Sequence, residues 1–112
     1  MLFIDTDDNI LLTRGDTATL NISITDAEGS PYVMQEGDTL KFSIKRIYEQ
    51  PEVLLEKTVT EPVVTLVSED TDSLSFGVYH YDIVFINAAK VDTIIADKTF
   101  TLGYEVHELG GE

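Results

Sequence analysis

Apolar and polar positions alternate along much of the chain. Ala18, Leu20, Ile22 and Ile24 alternate with Thr17, Thr19, Asn21 and Ser23; Leu40, Phe42 and Ile44 alternate with Lys41, Ser43 and Lys45. A period of two sends successive side chains to opposite faces, so one face is buried and the other wet: the pattern of a strand. No helix-length stretch keeps its apolar residues at the helical period. Turn signals cut the alternation into short pieces. Strands are expected at 9–13, 17–25, 39–46, 52–59, 63–67, 78–86 and 91–102. The segments Arg14-Gly15-Asp16, 26–31, Glu36-Gly37-Asp38, Pro51, Glu61-Pro62 and Asn87-Ala88-Ala89-Lys90 are expected to turn the chain. The acidic stretch 68–75 predicts a loop with one helical turn. Residues 104–107 either lengthen the last strand past Gly103 or add a short one, and 109–112 read as a loose tail.

Short strands at this spacing predict an all-β chain: an antiparallel two-sheet immunoglobulin-like β-sandwich of seven to eight strands, in a single domain over residues 1–112. Composition agrees, since 13 Thr, 10 Val and 10 Ile stand against 5 Ala. The most specific local signal is Gly77-Val78-Tyr79-His80-Tyr81. It follows a polar turn and leads into an apolar strand. It resembles the tyrosine corner of immunoglobulin-type sandwiches, in which a buried tyrosine bonds through its hydroxyl to backbone a few residues upstream. Tyr79 is the expected corner residue and Tyr81 a second inward ring. His80, between them, then faces outward. In the last long strand, Ile94 and Ile95 are neighbours and so are expected on opposite faces.

Charge narrows the partners. The 112 residues carry 21 acids and 7 lysines and arginines, a net charge of −14. Duplex nucleic acid and anionic membranes both need a basic surface, so neither is expected as a partner. With no cysteine, disulfides, thiolate metal sites and a cysteine nucleophile are excluded. The start, Met1-Leu2-Phe3-Ile4-Asp5, has no basic region and only a brief apolar run. It does not read as a signal peptide, and synthesis in the cytosol is expected.

Candidate chemistry is sparse. Arg14-Gly15-Asp16 matches the integrin-binding tripeptide, but between two strands it is expected to serve as a turn, in which Gly15 can take a positive φ and Asp16 can cap the turn. The acidic clusters Asp5, Asp7, Asp8 and Glu69, Asp70, Asp72 are candidates for calcium, Asp70 and Asp72 being the better pair. Neither has the spaced oxygen ligands and glycine of an EF-hand loop. His80 and His107 form no zinc-ligand pair. No Gly-x-Ser-x-Gly elbow or glycine-rich phosphate loop is present. Tyr32, Tyr48 and Tyr104 are the available sugar platforms in a chain without Trp. The chain is therefore read as no enzyme, with no catalytic, cofactor-binding or metal residue assigned.

One resemblance covers residues from about 9 to 108. It runs through Thr13-Arg14-Gly15-Asp16-Thr17, the stretch from Glu36-Gly37-Asp38 to Lys45, and Asp70-Thr71-Asp72-Ser73-Leu74. It continues through Gly77-Val78-Tyr79-His80-Tyr81-Asp82-Ile83 to Phe100-Thr101-Leu102-Gly103-Tyr104-Glu105-Val106-His107. This pattern resembles the N-terminal domains of tail and baseplate proteins from phages and prophages of Gram-positive bacteria, the baseplate upper protein-like family. The resemblance implies a virion structural protein made in the bacterial host cytoplasm. It would act by protein–protein contact with other tail or baseplate proteins, and as a homo-oligomer in some assemblies. Those proteins continue into stalks and receptor-binding heads where this chain stops. A stand-alone tail component or an excised module is therefore expected. An immunoglobulin-like extracellular binding module of a bacterium is the alternative.

Overall fold

The computed structural model describes residues 2–26, 28–47, 50 and 52–103. The chain runs through β1 (Leu2–Ile4), β2 (Ile10–Thr13), β3 (Ala18–Asn21), β4 (Thr39–Lys45), β5 (Leu55–Val59) and β6 (Val63–Leu66). It continues through the short helix α1 (Ser68–Asp72) to β7 (Gly77–Ile86) and β8 (Val91–Gly103). Among the described residues the protein is all-β apart from one helical turn, which falls where the acidic stretch predicted it. The expected strand at 104–107 and tail at 109–112 lie outside the described residues.

Two sheets of unequal size share one core. Six strands form the larger, in the order β1-β2-β8-β7-β4-β5, and the smaller pairs β3 with β6. The larger sheet is mixed, not antiparallel as expected. β2 lies parallel to β8, with Ile10 opposite Phe100 and Leu12 opposite Leu102. The reason lies in the connections: β2 and β8 are joined by no hairpin, so no turn forces them antiparallel. After β2 the chain leaves the larger sheet at Arg14-Gly15-Asp16 and enters the smaller one as β3.

Alternation decides which faces are buried. In β4, Leu40, Phe42 and Ile44 are fully buried while the residues between them are half-exposed. β7 buries Tyr79, Tyr81, Ile83 and Phe85 on the same side, and β3 and β6 contribute Ala18, Leu20, Val64 and Leu66 from across the core. At the centre the rings of Phe42, Tyr81 and Phe100 contact one another, with centroids 5.5 to 6.5 Å apart, the separations at which tilted and edge-on ring pairs are favourable.

In β8 the alternation breaks. Tyr81 pairs with Lys98, Ile83 with Ile95 and Val84 with Thr93, so β8 carries extra residues against β7. These irregularities let both Ile94 and Ile95 pack against the core, half-buried. The expectation that they face opposite ways is thereby corrected, because the inserted residue resets the pleat.

Candidate contact surface

The residues singled out in the sequence are mostly engaged in holding turns. Asp5 organises the turn between β1 and β2. One carboxylate oxygen accepts the N–H groups of Asp7 and Asn9, at 2.8 and 2.9 Å, and the other accepts the Asn9 side chain. These bonds, led by the Asn9 N–H, hold its pKa below the usual aspartate value. Asp8 takes a positive φ of 69°, and its carbonyl receives the Tyr81 hydroxyl. Tyr81 is buried. Burial first, then the Asp8 and Asp5 charges, pushes its pKa up to about 12.

The second acidic cluster rides on α1. Asp70 accepts the Val67 N–H at 2.8 Å and pairs with Lys57 at 3.0 Å. Lys57 lies opposite Phe42 on the inward side of β5, so this pair ties the edge of the larger sheet to the end of the smaller. Glu69 and Asp72 lie on the same short helix. Among the described residues, no three histidines or acids group to hold a metal ion.

Arg14-Gly15-Asp16 is docked against the loop before β7. The Arg14 guanidinium lies 4.4 Å from the centre of the Phe76 ring and reaches the Leu74 carbonyl. The Gly15 N–H donates to the buried Thr71 hydroxyl at 2.8 Å, with Gly15 at φ 87°. Arg14 is thus committed within the molecule. The tyrosine signal is realised as bonding: Tyr79 is buried, and its hydroxyl donates to the Ser75 carbonyl, four residues upstream, at 2.8 Å. The Arg46 guanidinium covers the Tyr79 ring at 4.7 Å.

Tyr32 is no free platform. Its hydroxyl donates to Asp38 at 2.6 Å, and its ring meets Phe85 edge-on. Asp38 also accepts the Gln35 N–H and the Asn87 side chain, so one carboxylate joins the 32–37 loop to the β7–β8 hairpin. The Tyr32 hydrogen bond, followed by the Gln35 N–H, lowers the Asp38 pKa; the same Tyr32–Asp38 bond, followed by burial, raises that of Tyr32. Tyr48, Tyr104 and His107 fall outside the described residues.

His80 faces outward as expected. Its Nδ1 lies 2.9 Å from the Asp97 carboxylate at the β8 irregularity, where Asp97 has φ 52° and its N–H donates to Asp82. The larger sheet's outer face carries the half-exposed Val78.

Among the described residues, a groove lies beside β3. Two adjoining pockets, of about 430 and about 360 Å³, share Ser23, Thr25 and Ile94. Together they run between the 20–26 segment and the inner side of β8. Ile22, Ile83, Ile94 and Ile95 line them together with the polar Asn21, Ser23, Thr25 and Asn87, and Asp8, Asp26 and Asp92 stand around them beside Lys90. Sequence reasoning missed this groove and the buried Asp38. An acid in a Gly-Asp turn looks solvated, and nothing local announces that Tyr32 and Asn87 close over it. The groove depends on Ile94 and Ile95 sharing a side, which alternation alone does not predict.

No known family model matches the chain, and no match is found among curated proteins or solved structures.

Proposed function

We propose that the chain is a non-enzymatic structural component of a phage or prophage tail or baseplate. On this reading it folds as an immunoglobulin-like sandwich, is made in the host cytoplasm and is built into the virion. It acts by protein–protein contact with other tail or baseplate proteins. The observation that carries the reading is how the conspicuous polar residues are used. Arg14, Asp38, Asp70, Tyr79 and Tyr81 are all bonded into joints between strands, while Phe3, Val33 and Val91 stand more than half exposed. A molecule whose polar groups fix its frame, and whose surface carries apolar side chains and an open sheet edge, is suited to contact and not to turnover.

The sandwich reading is supported by the strand order, by the helical turn between β6 and β7 and by the Tyr79–Ser75 bond. Four of the motifs that resemble the tail family, at 13–17, 36–45, 70–74 and 77–83, contain the joint residues Arg14, Asp38, Asp70, Tyr79 and Tyr81. At −14 the chain also suits partners that bring positive charge, in preference to nucleic acid or anionic lipid.

The test is mass spectrometry on particles purified after prophage induction from a strain that carries the gene. The chain is expected in the particle fraction at a fixed ratio to the tail proteins. Its absence from intact particles overturns the reading.

A further inference from the structure

We propose that the free edge of β3 is a strand-acceptor site, which takes an extended segment of a basic partner protein with apolar side chains at alternate positions. The proposal rests on the reading of the chain as an assembly component and specifies the contact it would use.

Residues 18–26 have one satisfied edge and one open edge. The Ile22 N–H donates to the Pro62 carbonyl, the Ile24 carbonyl accepts the Tyr32 N–H, and the Asp26 N–H donates to the Ser30 carbonyl. In the β3–β6 register, Leu20 faces Val64 and Ala18 faces Leu66. The backbone groups of the even-numbered residues therefore all point toward β6 and the 30–32 segment. Those of Thr19, Asn21, Ser23 and Thr25 point the other way, because successive residues of a strand turn their N–H and C=O groups to alternate sides. Among the described residues none of these outward groups has a backbone partner.

This edge is also undefended. Strand edges in isolated proteins are normally shortened, bulged, or blocked by lysine or proline. Residues 18–25 contain no proline, no lysine and no other charge. At about 3.4 Å per residue they expose an edge of roughly 25 Å. The other edges are blunted. β1 has three residues, β5 carries Glu56 and Lys57, and on β6 the Val63 and Val67 N–H groups are already taken by the Glu61 carbonyl and by Asp70.

The groove lies on the open side of this edge. A strand added to β3 would direct alternate side chains onto the groove's isoleucines, Ile22, Ile83, Ile94 and Ile95, while its backbone completed the Thr19, Asn21 and Ser23 hydrogen bonds. Charge selects the occupant. The surrounding acids Asp8, Asp26 and Asp92 outnumber the one lining cation, Lys90. A second copy would bring another −14 to this surface. A basic segment of a different protein fits both the rim and the whole-molecule field.

The experiment is amide hydrogen exchange on the full chain, with an acetylated, amidated Lys-Val-Lys-Ile-Lys-Val-Lys peptide as the probe and its Glu-for-Lys analogue as control. In the free chain the Thr19, Asn21 and Ser23 amides are expected to exchange quickly. The basic peptide, at roughly ten times its Kd, should slow them about tenfold. Ser23→Pro deletes one outward N–H and should weaken peptide binding without altering the β3–β6 ladder. Asn21→Lys, at an exposed position lining the groove, should weaken it by adding like charge. Four results overturn the proposal: no slowing with the peptide; equal slowing by the acidic analogue; amides already protected in the free chain at low concentration; or protection that grows with protein concentration alone, which makes a second copy the occupant. Peptide binding at this edge by a chain absent from purified particles would refute the tail assignment and leave the acceptor site standing.

Discussion

The Tyr79 hydroxyl bond to Ser75 is a contact between a buried donor and an exposed acceptor residue. Removing the hydroxyl leaves the Ser75 carbonyl within reach of water, so the cost falls at the lower end of the range for a lost hydrogen bond. Tyr79→Phe is expected to destabilise by about 1 kcal/mol, keeping the ring and its cover by Arg46. For a chain of this size that lowers the melting temperature by about 4 °C. An unchanged melt would mean that the bond does not hold the corner. Asp38 offers a pH test. Its folded pKa lies below 3.8, the ordinary aspartate value. A depressed carboxylate contributes stability that is present above the unfolded pKa and lost as pH falls through the folded one. Asp38→Asn should therefore be clearly less stable than the natural chain at pH 7, and the gap should narrow below about pH 4. Urea melts at both ends of that range measure it. Tyr81 gives the opposite limb. Its folded pKa is raised from 10.0 to about 12, so its contribution is intact below the unfolded value and lost as pH rises through the folded one. Stability should fall from about pH 10 upward. Tyr81→Phe, though less stable at neutral pH, should lack most of that fall.

At the scale of elements, Gly77 fixes where β7 begins. Its φ is 137°, a backbone conformation side chains rarely adopt, and an added Cβ would lie 2.9 Å from the Arg46 guanidinium. Gly29 has φ 85° with open space around it. Both Gly→Ala changes strain the backbone, but only Gly77→Ala also displaces the arginine that covers Tyr79. Gly77→Ala is expected to cost about 2–3 kcal/mol and Gly29→Ala about 1, chiefly because φ 137° is further than φ 85° from any conformation a side chain adopts readily; equal losses in parallel denaturant melts would refute the greater backbone strain at Gly77. These elements also mark how far the sequence can be read. β4 was legible because Leu40, Phe42 and Ile44 keep strict alternation, and the Tyr79 bond because its turn and following strand are contiguous. β1 was not, since Leu2-Phe3-Ile4 is three apolar residues without alternation. The parallel β2–β8 pairing was invisible because alternation carries no strand direction, and the partners lie far apart in the chain. The Ile94–Asp97 irregularity was missed because an inserted residue looks, in one dimension, like a shift of face.

At the scale of the molecule, 21 acids against 7 bases give a net charge of −14 on a chain whose pI is about 4.2. The folded state concentrates this charge relative to the expanded chain, and its self-repulsion opposes folding. Exposed charges are screened over about 10 Å at 0.1 M salt, so raising sodium chloride toward physiological strength should raise the melting temperature. The same reasoning separates screening from a specific ion. The two acidic clusters that a sequence marks for calcium have their central carboxylates occupied: Asp5 accepts the N–H groups of Asp7 and Asn9, and Asp70 accepts the Val67 N–H and pairs with Lys57. Calcium needs six to eight oxygens around one point. To gather them at Asp70, the ion would have to displace Lys57 and uncap α1, and at Asp5 it would have to open the turn that presents the Asp8 carbonyl to Tyr81. Melts in calcium chloride and in sodium chloride of equal ionic strength are therefore expected to coincide closely, apart from the modest advantage of a divalent counterion near a dense negative surface. A saturating rise at submillimolar calcium that equal ionic strength of sodium does not reproduce would show that one of these clusters rearranges to bind the ion. Lys57→Ala, which frees the Asp70 carboxylate, and Asp5→Asn, which removes the other central charge, would then show which one.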